Sequence, residues 1–361
     1  MPQTLPLPRI NSTNVRSLSQ SLARRAGLSV SAWLAPGLAG LWAERLFLTP
    51  PRPRYPSSEF FDLIDARQSF VRHRGRHIAT WRWGSPEAPA VLLAHGWGGR
   101  ATQMKRFVFH LAAAGYRVVA YDQPAHGLSE GRLTGLPDFA DVMGAVAHHH
   151  GNVHAVIAHS MGGPAAALAI ARGLPAARAV LMSPPSDLIN YSRRFARWLA
   201  IPERVRRAMQ AAIEERFGVR WAELEISRVA PRLRVQALVI HDRSDTQVPW
   251  KQGAALAQHW PGARLLTTEG LGHGRILEDD QVARAAVDFI AGRSAVAQPA
   301  SPLLPNPAPL LTWTARLPSP GRIPSPPSRR ARNSRPSSIC ARSATAALPI
   351  RRSRACSACA W

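Results

Sequence analysis

The stretch Ala158-His159-Ser160-Met161-Gly162-Gly163 sets one serine among small residues, after the apolar run 153–157 and before an Ala-rich helical pattern. Strand, sharp turn and helix follow in that order. Small residues at 158 and 162 meet the steric requirement of a nucleophile elbow, in which the turn residue takes strained geometry and a bulky neighbour would clash. The Ser160 hydroxyl then stands at a helix N-terminus, and the Met161 N–H faces the place where charge would develop on an attacked carbonyl oxygen. A serine hydroxyl is a weak nucleophile at neutral pH. The chemistry therefore calls for a base within hydrogen-bond reach and a third group that orients the base.

His273, in Gly270-Leu271-Gly272-His273-Gly274, is the expected base: it stands in a glycine-rich loop between the last strand pattern and the last helix pattern. Asp242 and Asp245 are the acids that follow a strand between the serine and the histidine. Asp242, nearest the strand end, reads as a cap of its own turn; Asp245, just before Val248-Pro249, has the reach of a loop residue and is the expected orienting acid. The second oxyanion donor is expected from His95-Gly96-Trp97-Gly98-Gly99, directly after the apolar run 90–94. The N–H of Trp97 is the candidate, and His95, Gly96, Gly98, Gly99 and Gly162 support the two turns. Neither Gly-Lys-Ser/Thr nor Gly-x-Gly-x-x-Gly follows that loop, which argues against phosphate binding. His148, His149 and His150 end a helical pattern without acidic or cysteine partners, so no metal site is expected there, and no cofactor is called for.

His95-Gly-Trp-Gly-Gly99, Asp122-Gln-Pro-Ala-His-Gly-Leu-Ser129, Ala158-His-Ser-Met-Gly162, Asp245-Thr-Gln-Val-Pro249 and Gly272-His273 together resemble the α/β-hydrolase superfamily over about residues 67–292. The resemblance implies an esterase- or lysophospholipase-like serine hydrolase with the triad Ser160, Asp245 and His273, working through an acyl-enzyme. It also implies that Asp122 and Ser129 shape the pocket. A serine nucleophile sets the chain apart from the dehalogenase and epoxide-hydrolase branches, which attack with aspartate. The expected substrate is a small-molecule ester, lipid-like esters included. An acyltransferase, a carbon–carbon bond hydrolase and a noncatalytic binding member of the same fold are the alternatives.

These side chains need a scaffold that brings loops far apart in sequence to one edge. Two strand-like runs, 69–73 and 77–83, read as a hairpin about Arg74-Gly75-Arg76. From residue 90 onward, short apolar runs of the kind buried on both faces alternate with helical patterns. The fold class is thus α/β: a mostly parallel central sheet with helices on both faces, an inserted helical cap and a disordered C-terminal tail. The expected division is an N-terminal extension over 1–60, a core over 61–186 and 232–292, the cap over 187–231, and a Pro/Arg/Ser-rich tail over 293–361.

The formal charge of +24 does not point to nucleic acid: only two of the 46 basic residues are lysines, and no basic block is interleaved with aromatics. All three cysteines, Cys340, Cys356 and Cys359, lie in the tail, so no disulfide framework holds the core, and a cytoplasmic location is expected. Residues 26–43 carry no charge and follow Arg24-Arg25. Their length and the preceding arginines suit a marginal transmembrane helix or signal sequence, but Pro36, Gly37 and Gly40 interrupt it, which favours a helix packed on the domain and leaves peripheral membrane contact as the other reading. Oligomeric state is not readable from the sequence.

Overall fold

The computed structural model describes residues 36–293, apart from residues 54, 57–58, 60–62 and 64. These all fall in one unit of the chain, and a second unit, Trp313–Trp361, lies outside the described residues. The expected tail from residue 294 and the first part of the uncharged N-terminal run, residues 26–35, also lie outside them.

One eight-stranded sheet organises the chain, in the order β1-β2-β4-β3-β5-β6-β7-β8. Strands β1 (Arg67–His73) and β2 (Arg76–Trp83) form the hairpin. Arg74 and Gly75 at its turn both have positive φ, 48° and 76°, the combination whose twist suits a two-residue hairpin. Strand β2 joins β4 (Arg117–Tyr121) antiparallel, and every pairing from there on is parallel: β3 (Ala90–Ala94), β5 (Val153–His159), β6 (Arg178–Met182), β7 (Gln236–Asp242) and β8 (Arg264–Thr268). β3 and β4 are buried along their whole length, as continuous apolar runs in a doubly covered sheet require.

Side chains alternate across the sheet into two cores. Val91, Leu93, Ala155 and Ile157 face α2 (Lys105–Ala113) and α11 (Asp280–Ile290), whereas Leu92, Ala94, Val156 and Ala158 face α3 (Leu136–His150) and α4 (Gly162–Ala171). Helix α4 is buried all round, which explains why its sequence is almost entirely alanine and other apolar residues.

Between β6 and β7 the chain leaves the sheet as α5 (Leu188–Trp198), α6 (Glu203–Phe217) and the short α7 (Trp221–Leu224) and α8 (Ile226–Val229). Asp187 caps α5 by accepting the Asn190 N–H, and Gly218, with φ 61°, ends α6 in the left-handed region. The chain rejoins the sheet through β7, α9 (Trp250–His259) and β8, and α10 (Gly272–Arg275) precedes α11.

Among the described residues the N-terminal helix, α1, runs Pro36–Leu48; it contains Gly37 and Gly40 and extends past Ala43. Among the described residues, no helix is long and apolar enough to cross a membrane.

Candidate active site

The loops that follow β3, β5, β7 and β8 all leave the carboxyl ends of parallel strands, the edge at which open α/β sheets bind ligands. Ser160 is the residue immediately after β5 and has φ 50°, a left-handed conformation that a serine adopts at an energetic penalty. Two backbone bonds enforce it: the Ser160 N–H donates to Met182 O at 2.8 Å and the Gly163 N–H to Ser160 O at 2.9 Å. Gly162 must be glycine, since a β-carbon there would lie 2.8 Å from Ala94 O and 2.9 Å from His95 O. The loop after β3 passes equally close, and a β-carbon on Gly96 would fall 2.7 Å from Ser160 Cβ.

His95 fixes that loop. Its Nε2 accepts the Gln123 N–H at 2.9 Å, so Nδ1 carries the proton and donates to Gly96 O at 2.7 Å. The Gly99 N–H donates to the same oxygen at 3.1 Å. Holding the Gly96 carbonyl holds the planar Gly96–Trp97 peptide, and with it the direction of the Trp97 N–H. Burial keeps the His95 ring well below its ordinary value, and therefore neutral. The Gly98 N–H is taken by His126 Nε2 at 2.9 Å. Among the described residues, no acceptor takes the N–H of Trp97 or that of Met161.

His273 and Asp245 are joined: Nδ1 lies 2.7 Å from Asp245 Oδ2. Asp245 Oδ1 accepts the N–H groups of Gln247 and Val248, each at 2.9 Å. Burial alone would raise this carboxyl, but the His241 and His273 hydrogen bonds and the Val248 N–H outweigh it and hold the group well below the usual carboxylate range. Asp242 faces elsewhere, accepting from Ser244 N, Leu271 N and Thr268 Oγ1. His273 lies in a one-turn helix, α10, where the sequence suggests a loop. Ser160 Oγ and His273 are not hydrogen-bonded to each other among the described contacts.

The sequence motifs assign neither His159 nor His241 a part in the chemistry. His159 is buried, its ring centroid 4.7 Å from that of His273, and its Nε2 donates to the His273 carbonyl at 2.9 Å. Fully buried His241 donates Nε2–H to Val248 O at 2.9 Å and lies 3.4 Å from Asp245 Oδ2. The one signal available was their position at the ends of apolar strands, where a polar ring needs a partner. Asp122 braces the neighbouring turn, accepting from the N–H groups of Ala101 and Leu128 and from the Tyr55 hydroxyl, while Ser129 Oγ donates to its carbonyl.

Burial pushes the His159 ring from 6.5 down to about 3, and the adjacent His273 adds to the effect. Between those values the unfolded chain binds a proton that the folded chain refuses, so stability falls as pH drops through that interval. His159 alone is expected to cost about 3 kcal/mol at pH 4. Urea titrations of wild type and His159→Gln from pH 7 to pH 4 check this; equal acid slopes would refute it.

The alpha/beta hydrolase family model matches residues 91–286, more than half of the chain. The chain belongs to this family. No curated protein sequence matches it. Among solved structures, an esterase from Pyrococcus furiosus is similar at 18% identity and a TM-score of 0.52, covering 68% of this chain and 99% of that one. A bacterial membrane phospholipase A described as a virulence factor is similar at 19% identity and a TM-score of 0.52, covering 78% of this chain and 99% of that one. At such identities the likeness is one of fold, and the alpha/beta hydrolase assignment rests on the family match.

Proposed function

We propose that this alpha/beta hydrolase is a serine hydrolase that cleaves carboxylic esters through an acyl-enzyme. The observation that carries the reading is the 2.7 Å Asp245–His273 pair beside a serine held at φ 50°. Asp245 fixes the proton on Nδ1, which leaves Nε2 as the base. Ser160 Oγ attacks the ester carbonyl carbon while Nε2 takes its proton, and the oxyanion lies between the N–H groups of Trp97 and Met161. Each such donor contributes about 2.7–4 kcal/mol to the transition state. Collapse breaks the bond to the alcohol, which leaves with the proton from Nε2. Water then attacks the acyl-serine by the same route, returning free Ser160 and the acid. The esterase and phospholipase names of the structural neighbours agree with this chemistry.

A fluorophosphonate is the direct test, because it reacts rapidly with an activated serine and negligibly with an ordinary one. Stoichiometric labelling of Ser160, located by mass spectrometry and lost in His273→Ala, is the expected result. No labelling and no turnover of any ester would leave a noncatalytic protein as the better reading, and labelling without ester turnover would point to acyl transfer or carbon–carbon bond cleavage.

A further inference from the structure

Helix α1 lies outside the residues that match the family, yet it borders the candidate site. An apolar cavity of about 40 Å³ opens beside Trp97 and Met161, and its wall includes Phe47 and Leu48 of α1 together with Phe217 and Trp221 of the inserted helices. Phe47 is set among their rings, with centroids 5.0 Å from Phe195 and 5.9 Å from Tyr191. Leu48 packs over Gly135, where a β-carbon would lie 3.2 Å from Leu48 Cδ2.

The helix is fastened at several points. Glu44, 2% exposed, pairs with Arg216 of α6, and a β-carbon on Gly40 would lie 2.6 Å from Ala208 Cβ of the same helix. The Leu48 carbonyl accepts the Thr134 N–H at 2.9 Å. Pro51 lies against the loop that carries Trp97, with its Cγ 2.8 Å from where a β-carbon on Gly98 would be. These contacts hold α1 to α6 and to the loop at the same time, so the wall that Phe47 and Leu48 form is part of a fixed frame.

We propose that α1 is a specificity element: Phe47 and Leu48 close the acyl pocket so that it takes acetyl and propionyl groups and excludes longer chains. The proposal rests on the ester-hydrolase reading above. A cavity of about 40 Å³ is about a quarter of the roughly 150 Å³ that takes up benzene, so it has room for about two carbon atoms. The acyl chains of lipid-like esters, which the sequence admits, exceed that space. Opening the wall should let further methylenes be buried, each worth about fourfold in kcat/KM, or about 0.8 kcal/mol.

The test uses the full chain and the nitrophenyl esters from acetate through decanoate. Wild type should be fastest on acetate or propionate. Phe47→Ala should raise the ratio of hexanoate to propionate kcat/KM by about 60-fold if three methylenes become buried, and Leu48→Ala should shift it in the same direction by less. Phe47→Trp should narrow the profile toward acetate. Phe109→Ala, at a ring 72% exposed on α2, should leave the profile unchanged. A wall residue that served packing alone would change melting temperature and leave the chain-length ratio where it was. Should Phe47→Ala fail to fold, Phe47→Leu makes a smaller opening with the packing kept. Fluorophosphonate labelling of Ser160 is measured in every variant. Labelled protein with one profile throughout overturns the role of α1, as does a wild-type rate that rises up to decanoate. Absent labelling in wild type overturns the serine reading, and this proposal with it.

Discussion

Ser160→Ala is expected to lower kcat on the best nitrophenyl ester by about 10⁶-fold, the scale on which a serine nucleophile and its base act as one unit. What survives should be the modest acceleration that the oxyanion donors and substrate binding give on their own, about 10³–10⁴ over water. KM should change little, because the hydroxyl contributes little to ground-state binding. Ser160→Gly should be as inactive and yet melt higher than Ser160→Ala. At φ 50° alanine keeps the left-handed strain, whereas glycine takes that conformation without steric penalty. Paired measurements of kcat and melting temperature check both statements. A Ser160→Ala protein that retains a tenth of wild-type turnover would remove the serine from the mechanism.

Much of the sheet was legible because its signals are local. Ala90–Ala94 and Arg117–Tyr121 read as buried strands from their apolar runs alone, and the elbow read as a turn because small residues flank Ser160 at fixed spacing. The neighbour relations of the strands carry no such mark: that β4 lies between β2 and β3 is a property of the assembled sheet. The seat of α1 is equally unmarked: its Glu44 meets Arg216 of α6, some 170 residues further along the chain.

The supporting histidines show where pattern reading stops. His95, His159 and His241 look alike in sequence, each at the end of an apolar strand, yet they hold the Trp97 peptide, the His273 carbonyl and the Asp245 side chain respectively. A ring nitrogen's partner is decided by which loop folds over it, and loops from different strands meet only in three dimensions. The seat of Pro51 on Gly98 is of the same kind. Nothing in Pro50-Pro51-Arg52-Pro53 beyond stiffness announces that it touches the candidate oxyanion loop.

Asp245→Asn is expected to lower kcat by about 10⁴-fold with the site geometry intact. The argument follows from which atoms Asp245 already engages. Oδ1 accepts two backbone N–H groups, those of Gln247 and Val248, so an asparagine must keep its oxygen there and turn its NH₂ toward His273. An amide donor facing Nδ1 forces that nitrogen to become an acceptor, which moves the imidazole proton to Nε2 and leaves no base for the Ser160 hydroxyl. Asp242→Asn should behave in the opposite way. Its two oxygens hold Ser244, Leu271 and Thr268, the bonds that close the turn before α10, so the amide cannot satisfy every donor and the fold should lose about 1–3 kcal/mol. Turnover by the Asp242→Asn protein that remains folded should stay near wild type, because no Asp242 atom bonds the His273 ring. Measuring kcat and urea stability for both variants separates the roles, and a large kcat loss in Asp242→Asn with a mild one in Asp245→Asn would reverse the assignment.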